Sequence, residues 1–348
     1  MATFQLGLTR DFLNSRGEPA FGTEGIERIS RQNHIQPSYF DEHLNTVTAE
    51  QLQHYDGVIS LTPRYTAEAL SAAADRLIVI ARYGVGYDMV DVQACTEADI
   101  AVTITPQGIR KPVAYAIMTH MLALAHRLPV KSRLIAEKRW QDRIDYPGYR
   151  ITGQTLGSVG FGNIAKELFR MTRGFEMTSI AYDPYADPAV AASYGVELVD
   201  LQTLCESSDY LTINCFLSKE TFHLISYDQL RAMKRSAFLI NTARGGIVDE
   251  QALVSALQEG WISGAGLDVF EEEPFVSDSP LLHMDNVIVT PHSLCWTEEM
   301  VGGLWADTTN AIMDVASGSA PANVVNREVL ARPGFIRKLE RFSTIERG

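Results

Sequence analysis

Three short apolar runs in the second half of the chain are each followed by side chains that could act together in catalysis. The runs lead into Arg244, into the acidic triplet at 271–273 and into His292. We interpret the runs as β-strands, and ligands of parallel α/β sheets bind at the carboxyl ends of the strands. An arginine fork can hold a carboxylate, and a histidine beside a carboxylate can give or take a proton. Together these types suit hydride transfer to a carbonyl next to a carboxylate, although singly the histidine could cap a helix and the triplet could be a solvated acidic run.

A glycine-rich turn lies upstream of these segments, between another apolar run and an amphipathic helical pattern. Gly160 permits the tight turn, and Gly162 lets the backbone approach a pyrophosphate without a Cβ in the way. The N–H groups around Asn163 and Ile164 open the helix, where a phosphate is favoured. The pattern predicts a dinucleotide site, and the alternative is a βαβ turn that binds no ligand.

An acid follows the glycine turn at the distance that dinucleotide sites use. Asp183 ends the next predicted strand, where a carboxylate typically binds the adenosine ribose. No lysine or arginine occurs between Asp183 and Lys219, so no local cation would neutralise a 2′-phosphate. The sequence therefore favours NAD over NADP.

Short apolar runs alternate with helical patterns on both sides of a turn at 105–108. This alternation predicts an α/β protein with two doubly wound parallel-sheet domains, and the proline and glycine of the turn indicate a hinge. We assign residues 1–105 to a flavodoxin-like substrate-side domain and 106–294 to an inserted Rossmann domain that binds NAD. Residues 295–348 form a return helix and a polar tail that complete the first domain.

The composition of the 348 residues excludes several classes of partner and site. A net charge of −13 argues against nucleic acid and anionic membranes. The four cysteines are scattered without a Cys-x-x-Cys pair, which predicts free buried thiols in a reducing compartment and no metal site. With no signal peptide and no apolar run long enough for a membrane span, we expect a cytoplasmic protein that acts on a small molecule.

These segments resemble the D-isomer-specific 2-hydroxyacid dehydrogenases, and the resemblance covers almost the whole chain. It rests on Arg-Tyr-Gly-Val-Gly-Tyr-Asp at 82–88, the glycine turn at 156–165, Tyr-Asp-Pro-Tyr at 182–185, Asn-Thr-Ala-Arg-Gly-Gly at 241–246, Gly-Leu-Asp-Val-Phe-Glu-Glu-Glu-Pro at 266–274 and Thr-Pro-His at 290–292. The resemblance implies that Arg244 binds the substrate, that His292 is the acid/base and that Glu273, directly before Pro274, is its carboxylate partner.

The same resemblance implies further contacts. Thr242 and Ala243 would touch the cofactor, Asp268 would lie near the nicotinamide carboxamide, and the backbone at Val85 and Gly86 would receive the substrate carboxylate. Members of this family usually form homodimers through the cofactor domain, and we expect the same here.

The chain also departs from the family pattern. Gly108-Ile109 and Tyr115 replace the usual Val-Asn and helical Glu, and Arg110 and Lys111 could hold a second acidic group or simply begin a solvated helix. Asn-Cys-Phe at 214–216 replaces His-x-Pro on the adenine side, and Ser-Leu-Cys-Trp at 293–296 replaces Gly-Gly. Trp296 could narrow the pocket or be buried at an interface.

The sequence as a whole predicts an NAD-dependent oxidoreductase that interconverts a 2-oxo acid and a D-2-hydroxy acid. One alternative is an NAD-sensing, corepressor-like binding protein with little turnover, and another is a phosphite dehydrogenase. Formate is disfavoured because the formate enzymes of the family carry glutamine in place of Glu273. Glyoxylate, hydroxypyruvate, pyruvate and larger sugar acids all stay open as substrates.

Overall fold

The computed structural model describes residues 3–275 and 278–343. Contacts between Cα atoms divide the chain into two compact units. The first unit contains Met1–Ile109 and Thr297–Gly348, and the second contains Arg110–Trp296. Each unit is built around its own parallel β-sheet with helices, which confirms the predicted α/β fold class.

The first unit contains a sheet of five parallel strands. They are β1 (Phe4–Leu8), β2 (Ile35–Tyr39), β3 (Gly57–Ser60), β4 (Val79–Arg82) and β5 (Ala101–Thr103). Their order is β2-β1-β3-β4-β5, the flavodoxin-like arrangement that was predicted. Strands β3 and β4 are fully buried, whereas β2 is an edge strand with alternating exposure. Strand β2 is not one of the apolar runs of the sequence, because Pro37 and its polar neighbours break the apolar pattern, and an edge strand tolerates both.

The helices between these strands are α1 (Glu24–Ser30), α2 (Ala49–Leu52), α3 (Ala67–Ala72) and α4 (Val92–Glu97). Thr48 is the cap of α2, where its hydroxyl accepts a hydrogen bond from the N–H of Gln51 at 3.3 Å. Side chains also cap α3 at Thr66 and α4 at Asp91, and such caps satisfy N–H groups that the first helical turn leaves unpaired.

Helix α5 (Pro106–Ala125) begins within the segment 105–108 that was predicted as a hinge turn, so most of this segment is helical. Pro106 occupies the first helical position. Proline has no N–H, and at this position an N–H would have no hydrogen-bond partner within the helix. Gly108 is also explained by packing, since a Cβ there would lie 2.4 Å from the backbone of Gly303. The proline and the glycine therefore mark a helix start and a close helix contact, and the helix continues from the first unit into the second.

The second unit contains a seven-stranded parallel sheet. Its strands are β6 (Thr155–Val159), β7 (Thr178–Tyr182), β8 (Glu197–Leu198), β9 (Tyr210–Ile213), β10 (Phe238–Asn241), β11 (Gly264–Leu267) and β12 (Val287–Val289). The order β12-β11-β10-β9-β6-β7-β8 is that of a Rossmann fold with one added strand. Strands β6 and β9 are neighbours although they are distant in sequence, so the winding direction reverses between them, where such folds bind ligands.

The further helices of this unit are α6 (Leu128–Ala136), α7 (Asn163–Thr172), α8 (Pro188–Ser193), α9 (Leu201–Ser207), α10 (Tyr227–Ala232) and α11 (Glu250–Gln258). The chain then returns to the first unit through α12 (Glu298–Ala316). A short helix, α13 (Pro333–Glu340), lies in the tail that was predicted only as polar. Its Lys338 is buried and donates hydrogen bonds of 2.8–2.9 Å to three backbone carbonyl oxygens, so a charged residue belongs to the core here.

All four cysteines are free, as predicted; Cys95, Cys205 and Cys295 are buried, whereas Cys215 is only partly so. Across residues 3–275 and 278–343, every helix is too short or too polar to cross a membrane.

Candidate active site

Glu273 and His292 form a close pair at the carboxyl end of the second unit's sheet. Glu273 lies in the loop after β11, and His292 lies in the turn after β12. The Oε2 atom of Glu273 is 2.7 Å from Nδ1 of His292. The other carboxylate oxygen, Oε1, accepts a hydrogen bond of 3.0 Å from the N–H of Phe270, which fixes the side chain to its own loop. Both side chains are partly exposed, so a substrate can reach them.

The pKa of Glu273 determines which histidine nitrogen carries a proton. Partial burial raises the pKa of this carboxyl. The hydrogen bond to His292 lowers it, and the N–H of Phe270 and the charge of Arg244 make smaller contributions in the same direction. Together these contributions outweigh the effect of burial, so the pKa of Glu273 is below its ordinary value. Glu273 is therefore ionised at neutral pH and can only accept a hydrogen bond from Nδ1 of His292. Nε2 is then the ring nitrogen available for proton transfer to a substrate.

Asp268 anchors the turn that carries His292. Its carboxylate is only 2% exposed. It accepts hydrogen bonds from the hydroxyl of Thr290 at 2.6 Å and from the N–H groups of Ser293 and Leu294 at 3.1 and 3.2 Å. His292 itself has a φ of 52°, in the left-handed region that a histidine rarely occupies. A backbone in that region needs support from its surroundings, and Asp268 supplies it on both sides of the histidine.

Arg244 follows β10 in a loop that is held by the last residue of the strand. The side chain of Asn241 donates to the carbonyl oxygen of Arg244 at 2.9 Å and accepts from the N–H of Ala243 at 3.0 Å. The guanidinium donates to the carbonyl oxygen of Ala243 at 2.7 Å. Because the charge of Arg244 contributes to the lowered pKa of Glu273, the two side chains share one electrostatic environment.

Gly245 brings the Arg244 loop into contact with the Glu273 loop. A Cβ at this position would lie 1.9 Å from the carbonyl carbon of Phe270 and 2.4 Å from the nitrogen of Glu271. No side chain fits in that space, so glycine is the residue that allows the two loops to touch. The structure thus brings all three predicted catalytic residues to one edge of the sheet.

The glycine turn has the shape of a dinucleotide cradle. Gly160 has a φ of 95°, and a Cβ there would lie 2.9 Å from the backbone of Asn214. A Cβ on Gly162 would have no atom of the described residues within 4 Å, so there is open space beside this glycine. Within the part of the chain that the structure describes, no side chain caps α7, which begins at Asn163 and continues through Ile164. The first N–H groups of α7 therefore remain available to an anion.

The other predicted cofactor residues lie along the same sheet edge. Asp183, after β7, accepts from the N–H groups of Phe161 and Tyr185, both at 2.9 Å, and so lies directly beside the glycine turn. Thr242 and Ala243 follow β10. The hydroxyl of Thr242 is buried without a hydrogen-bond partner among the described residues. A buried hydroxyl of this kind is normally satisfied, and a bound ligand would do so. The residues of this edge therefore fit NAD.

Val85 and Gly86 belong to the first unit, in the loop after β4. Both are partly exposed. The preceding Gly84 has a φ of 144°, and its carbonyl oxygen accepts a hydrogen bond of 3.0 Å from the N–H of Thr105. Their contact with a substrate stays a prediction.

Residues 118–293 match the family model described as D-isomer specific 2-hydroxyacid dehydrogenase, NAD binding domain. The chain belongs to this family.

Curated relatives and solved structures agree with the family match. The chain is 37% identical to a glyoxylate reductase of Korarchaeum cryptofilum, over 83% of this chain and 89% of that protein. It is 42% identical to a D-3-phosphoglycerate dehydrogenase of Methanocaldococcus jannaschii, over 73% of this chain and 48% of that protein. A solved glyoxylate reductase from Paecilomyes thermophila has a TM-score of 0.81 at 26% identity and covers 94% of this chain and 100% of its own. The predicted family, the NAD cofactor and the 2-hydroxyacid dehydrogenase activity are thereby confirmed.

This 2-hydroxyacid dehydrogenase also contains a buried histidine near the site that the sequence analysis treated only as an interruption of an apolar run. His120 of α5 is 1% exposed and packs on β11, where a Cβ on Gly266 would lie 2.7 Å from the imidazole. Burial lowers the pKa of His120 to about 4, and the charge of Asp268 opposes that shift only in part. Its Nε2 atom has no hydrogen-bond partner in the described ranges. A histidine inside an apolar helical pattern was the available signal.

Two exposed aromatic residues also lie near the glycine turn of the dehydrogenase. Tyr185 is 90% exposed after β7, and Phe216 is 70% exposed after β9. Because β7 and β9 flank β6 in the sheet, the two rings stand on either side of the glycine turn.

Proposed function

We propose that this chain reduces glyoxylate, or a 2-oxo acid of similar size, to the corresponding 2-hydroxy acid, with Arg244, Glu273 and His292 as its catalytic residues. The observation that carries the proposal is the 2.7 Å contact between Glu273 and His292 beside the Arg244 loop. An ionised carboxylate, an imidazole and a guanidinium at one sheet edge are what proton-coupled reduction of a 2-oxo acid needs.

The residues divide the reaction between them. Bound NADH supplies the hydride. Arg244 binds the substrate carboxylate and polarises the carbonyl oxygen, since its planar fork can make two parallel hydrogen bonds. Nε2 of His292 gives the proton to the carbonyl oxygen as the hydroxyl forms. Glu273 holds Nδ1 of His292, which fixes the orientation of the ring. In the oxidative direction the same nitrogen takes the proton back.

For the cofactor we propose that the second unit binds NAD and that the first unit contributes Val85 and Gly86 to the substrate carboxylate. The contacts to NAD would come from the glycine turn, the start of α7 and the strand ends: Gly160, Gly162, Asn163, Ile164, Asp183, Thr242, Ala243 and Asp268. Asp183 would bind the adenosine ribose, and the exposed rings of Tyr185 and Phe216 would contact the adenine.

The identity of the acid is supported by the relatives named glyoxylate reductase, of which the chain covers 87–91% in three cases at 36–37% identity. A small 2-oxo acid also requires no cationic group beyond the arginine that holds its carboxylate.

D-3-phosphoglycerate is the second candidate substrate, because the chain is 42% identical to one dehydrogenase named for it. A phosphorylated substrate needs an additional cationic site. Arg110 and Lys111 are candidates for that role, but their charges help to lower the pKa of Glu167, after its hydrogen bond with Arg170. Since both cations already act on a nearby carboxylate, the phosphorylated acid is the weaker candidate.

We also propose that the chain works as a homodimer that assembles through the second unit. Four large apolar side chains of the segment 128–145 are exposed by more than half: Leu128, Ile135, Trp140 and Ile144. Exposed apolar side chains concentrated in one segment are typical of a protein–protein contact. The free cysteines fit a reducing compartment such as the cytoplasm.

The test is NADH oxidation by the purified chain against a panel of glyoxylate, hydroxypyruvate, pyruvate and 3-phosphohydroxypyruvate, with NADPH in parallel. We expect the highest kcat/KM with glyoxylate and NADH. A preference for 3-phosphohydroxypyruvate would instead support the second candidate. NAD binding without turnover on any acid would contradict both and favour a binding protein.

A further inference from the structure

A short segment of the second unit contacts both loops that carry the proposed catalytic residues. The N–H of His223 donates to the carbonyl oxygen of Gly246 at 2.9 Å. The imidazole Nε2 of His223 lies 2.9 Å from Oε1 of Glu271. Gly246 is two residues beyond Arg244, and Glu271 is two residues before Glu273. One residue therefore binds the Arg244 loop through its backbone and the Glu273 loop through its side chain.

The partner of this imidazole, Glu271, is itself tied to the start of α11. Its Oε1 atom accepts a second hydrogen bond, from the N–H of Glu250 at 2.8 Å, and its own N–H donates to Oε2 of Glu250 at 3.3 Å. The Glu273 loop is thus held to α11 by two hydrogen bonds between backbone N–H groups and carboxylates, and to the segment before α10 by His223.

His223 is held in an uncommon conformation to make this contact. Its φ is 52°, in the left-handed region. The ring of Phe222 stacks on the imidazole with centroids 3.9 Å apart. Two residues on, the N–H of Ile225 donates to the carbonyl oxygen of Ile247 at 3.1 Å, so the segment is paired with the chain beyond the Arg244 loop. A non-glycine residue in this conformation persists only where the surroundings maintain it.

A metal centre is the other possible role of this cluster, since His223, Asp249 and Glu271 each place one ligand atom within 4.8 Å of the others. The hydrogen bonds argue against it. Glu271 faces Nε2 of the ring, whereas Asp249 lies 3.9 Å from Nδ1, on another edge. The carboxylate of Asp249 already accepts from the hydroxyl of Ser226 at 2.7 Å and from the N–H of Ala252 at 3.0 Å. The oxygens that would bind a metal are therefore engaged in fixing the loops.

We propose that His223 is a positioning residue that holds the Arg244 loop and the Glu273 loop at the separation that catalysis needs. The inference rests on the roles proposed above for Arg244 and Glu273. His223 does not touch the reacting groups, and it acts through the backbone of one loop and the carboxylate of the other. A shift of about 1 Å between groups that bind and protonate a substrate can reduce the rate by up to roughly a hundredfold, so a lost tether affects turnover even when the fold survives.

A pair of substitutions separates positioning from folding. Asn tolerates the left-handed backbone but is too short to reach Glu271, whereas Gln can place an amide nitrogen near the position of the histidine Nε2. We expect His223→Asn to lower kcat/KM for glyoxylate roughly tenfold, mainly through kcat, and His223→Gln to retain most of the activity. The Kd for NADH, measured by fluorescence, should stay within about twofold for both variants, because the glycine turn is untouched.

The control is His283→Asn. His283 is an exposed histidine of the same unit, 3.4 Å from Asp278 and outside both loops. We expect its kcat/KM to equal that of the wild type. The double variant His223→Asn with Glu271→Ala should be no slower than Glu271→Ala alone, because Glu271→Ala already removes the contact between the imidazole and the carboxylate.

Three results would overturn the proposal. The first is a normal kcat/KM in His223→Asn; the second is an equal loss in His223→Gln and His223→Asn. The third concerns a metal chelator: the chelator would abolish the activity of the wild type, and added zinc would restore it in the wild type but not in His223→Asn. That result would assign the cluster to a metal. Wild-type turnover and the His292→Ala variant test the proposed function separately, so a slow His292→Ala enzyme with a normal His223→Asn enzyme would reject this inference alone.

Discussion

Three glutamates follow β11 in succession, and each has a different environment. Glu273 accepts hydrogen bonds from its own loop and pairs with His292. The carboxylate of Glu271 contacts the imidazole of His223 and accepts a hydrogen bond from the backbone N–H of Glu250, and Glu272 is exposed to solvent. Residue type alone could not distinguish them, and the family resemblance selected Glu273 by its place before Pro274. The hydrogen-bond partners provide the physical reason for that choice.

At the residue scale, the role proposed for Arg244 predicts a specific kinetic effect. Arg244→Lys should raise the KM for glyoxylate roughly tenfold or more, because one ammonium cannot make the two parallel hydrogen bonds of a guanidinium, and a hydrogen bond to a charged group contributes about 1.5–3 kcal/mol. Steady-state kinetics with NADH at saturation measure it. Arg235→Lys, an exposed arginine before β10, is the control, and an unchanged KM in Arg244→Lys would contradict the binding role.

At the element scale, the contact between the loops after β10 and β11 depends on Gly245. The substitution Gly245→Ala would place a methyl group 1.9 Å from the backbone of Phe270, so the loops must separate. We expect kcat/KM to fall by roughly a hundredfold and stability by about 1–3 kcal/mol. Gly174→Ala is the matched control, because the described residues leave its Cβ position open to 4 Å. Full activity in Gly245→Ala would show that the contact between the loops is not needed.

The packing of α5 on β11 predicts a pH-dependent stability. Burial holds the pKa of His120 at about 4, against an ordinary value of 6.5. Between these values the unfolded chain binds a proton that the folded chain excludes, so stability falls as the pH drops through this window. From about pH 7.5 to about pH 5 this one residue should remove about 2 kcal/mol of the free energy of unfolding.

Urea denaturation of His120→Leu at the two pH values measures this effect. The variant should lose about 2 kcal/mol less than the wild type on acidification, since leucine binds no proton. His126→Gln, an exposed histidine after the same helix, should behave as the wild type does. If the free energy of unfolding had the same pH dependence in the wild type and in His120→Leu, His120 would have to be protonated or hydrated in the folded state.

Most of these elements could be anticipated from the sequence, and the exceptions have physical causes. Buried parallel strands such as β4 and β10 are mostly continuous apolar runs, and a capping residue in the sequence indicates where a helix begins. Strand β2 is a polar edge strand with a proline, and α13 is a short helix that buries a lysine beside its few apolar residues, so neither contains an apolar run. Pro106 and Gly108 have the composition of a hinge but begin a helix, because tertiary packing of Gly108 decides its environment. Contacts such as those of His223 and Asp268 join segments distant in sequence and required the structure.

At the scale of the whole molecule, a net charge of −13 means that the overall field does not attract an anionic acid. Capture of the substrate must therefore come from local groups, and Arg244 is the proposed one. The net charge was predictable from composition. The exposure of the apolar side chains of 128–145 was not, because most leucine and isoleucine side chains in the other described residues are buried or partly buried.

The proposed homodimer can be tested by its mass. Light scattering should give twice the chain mass of 38.6 kDa for the wild type. Ile144→Asp should shift the equilibrium toward the single chain, because burying an unpaired carboxylate in an apolar contact is unfavourable. Ile144 is 78% exposed, so the substitution should not affect folding of one chain. Leu282→Asp, at an exposed leucine outside the segment, is the control, and a monomeric wild type would contradict the proposal.

The most direct test of the proposed mechanism is the turnover of His292→Ala with glyoxylate and NADH, compared with the wild type. Removing the group that gives the proton should lower kcat by on the order of 10²–10⁴, while the Kd for NADH stays unchanged. Turnover close to that of the wild type would show that protonation does not pass through His292 and would contradict the proposed mechanism.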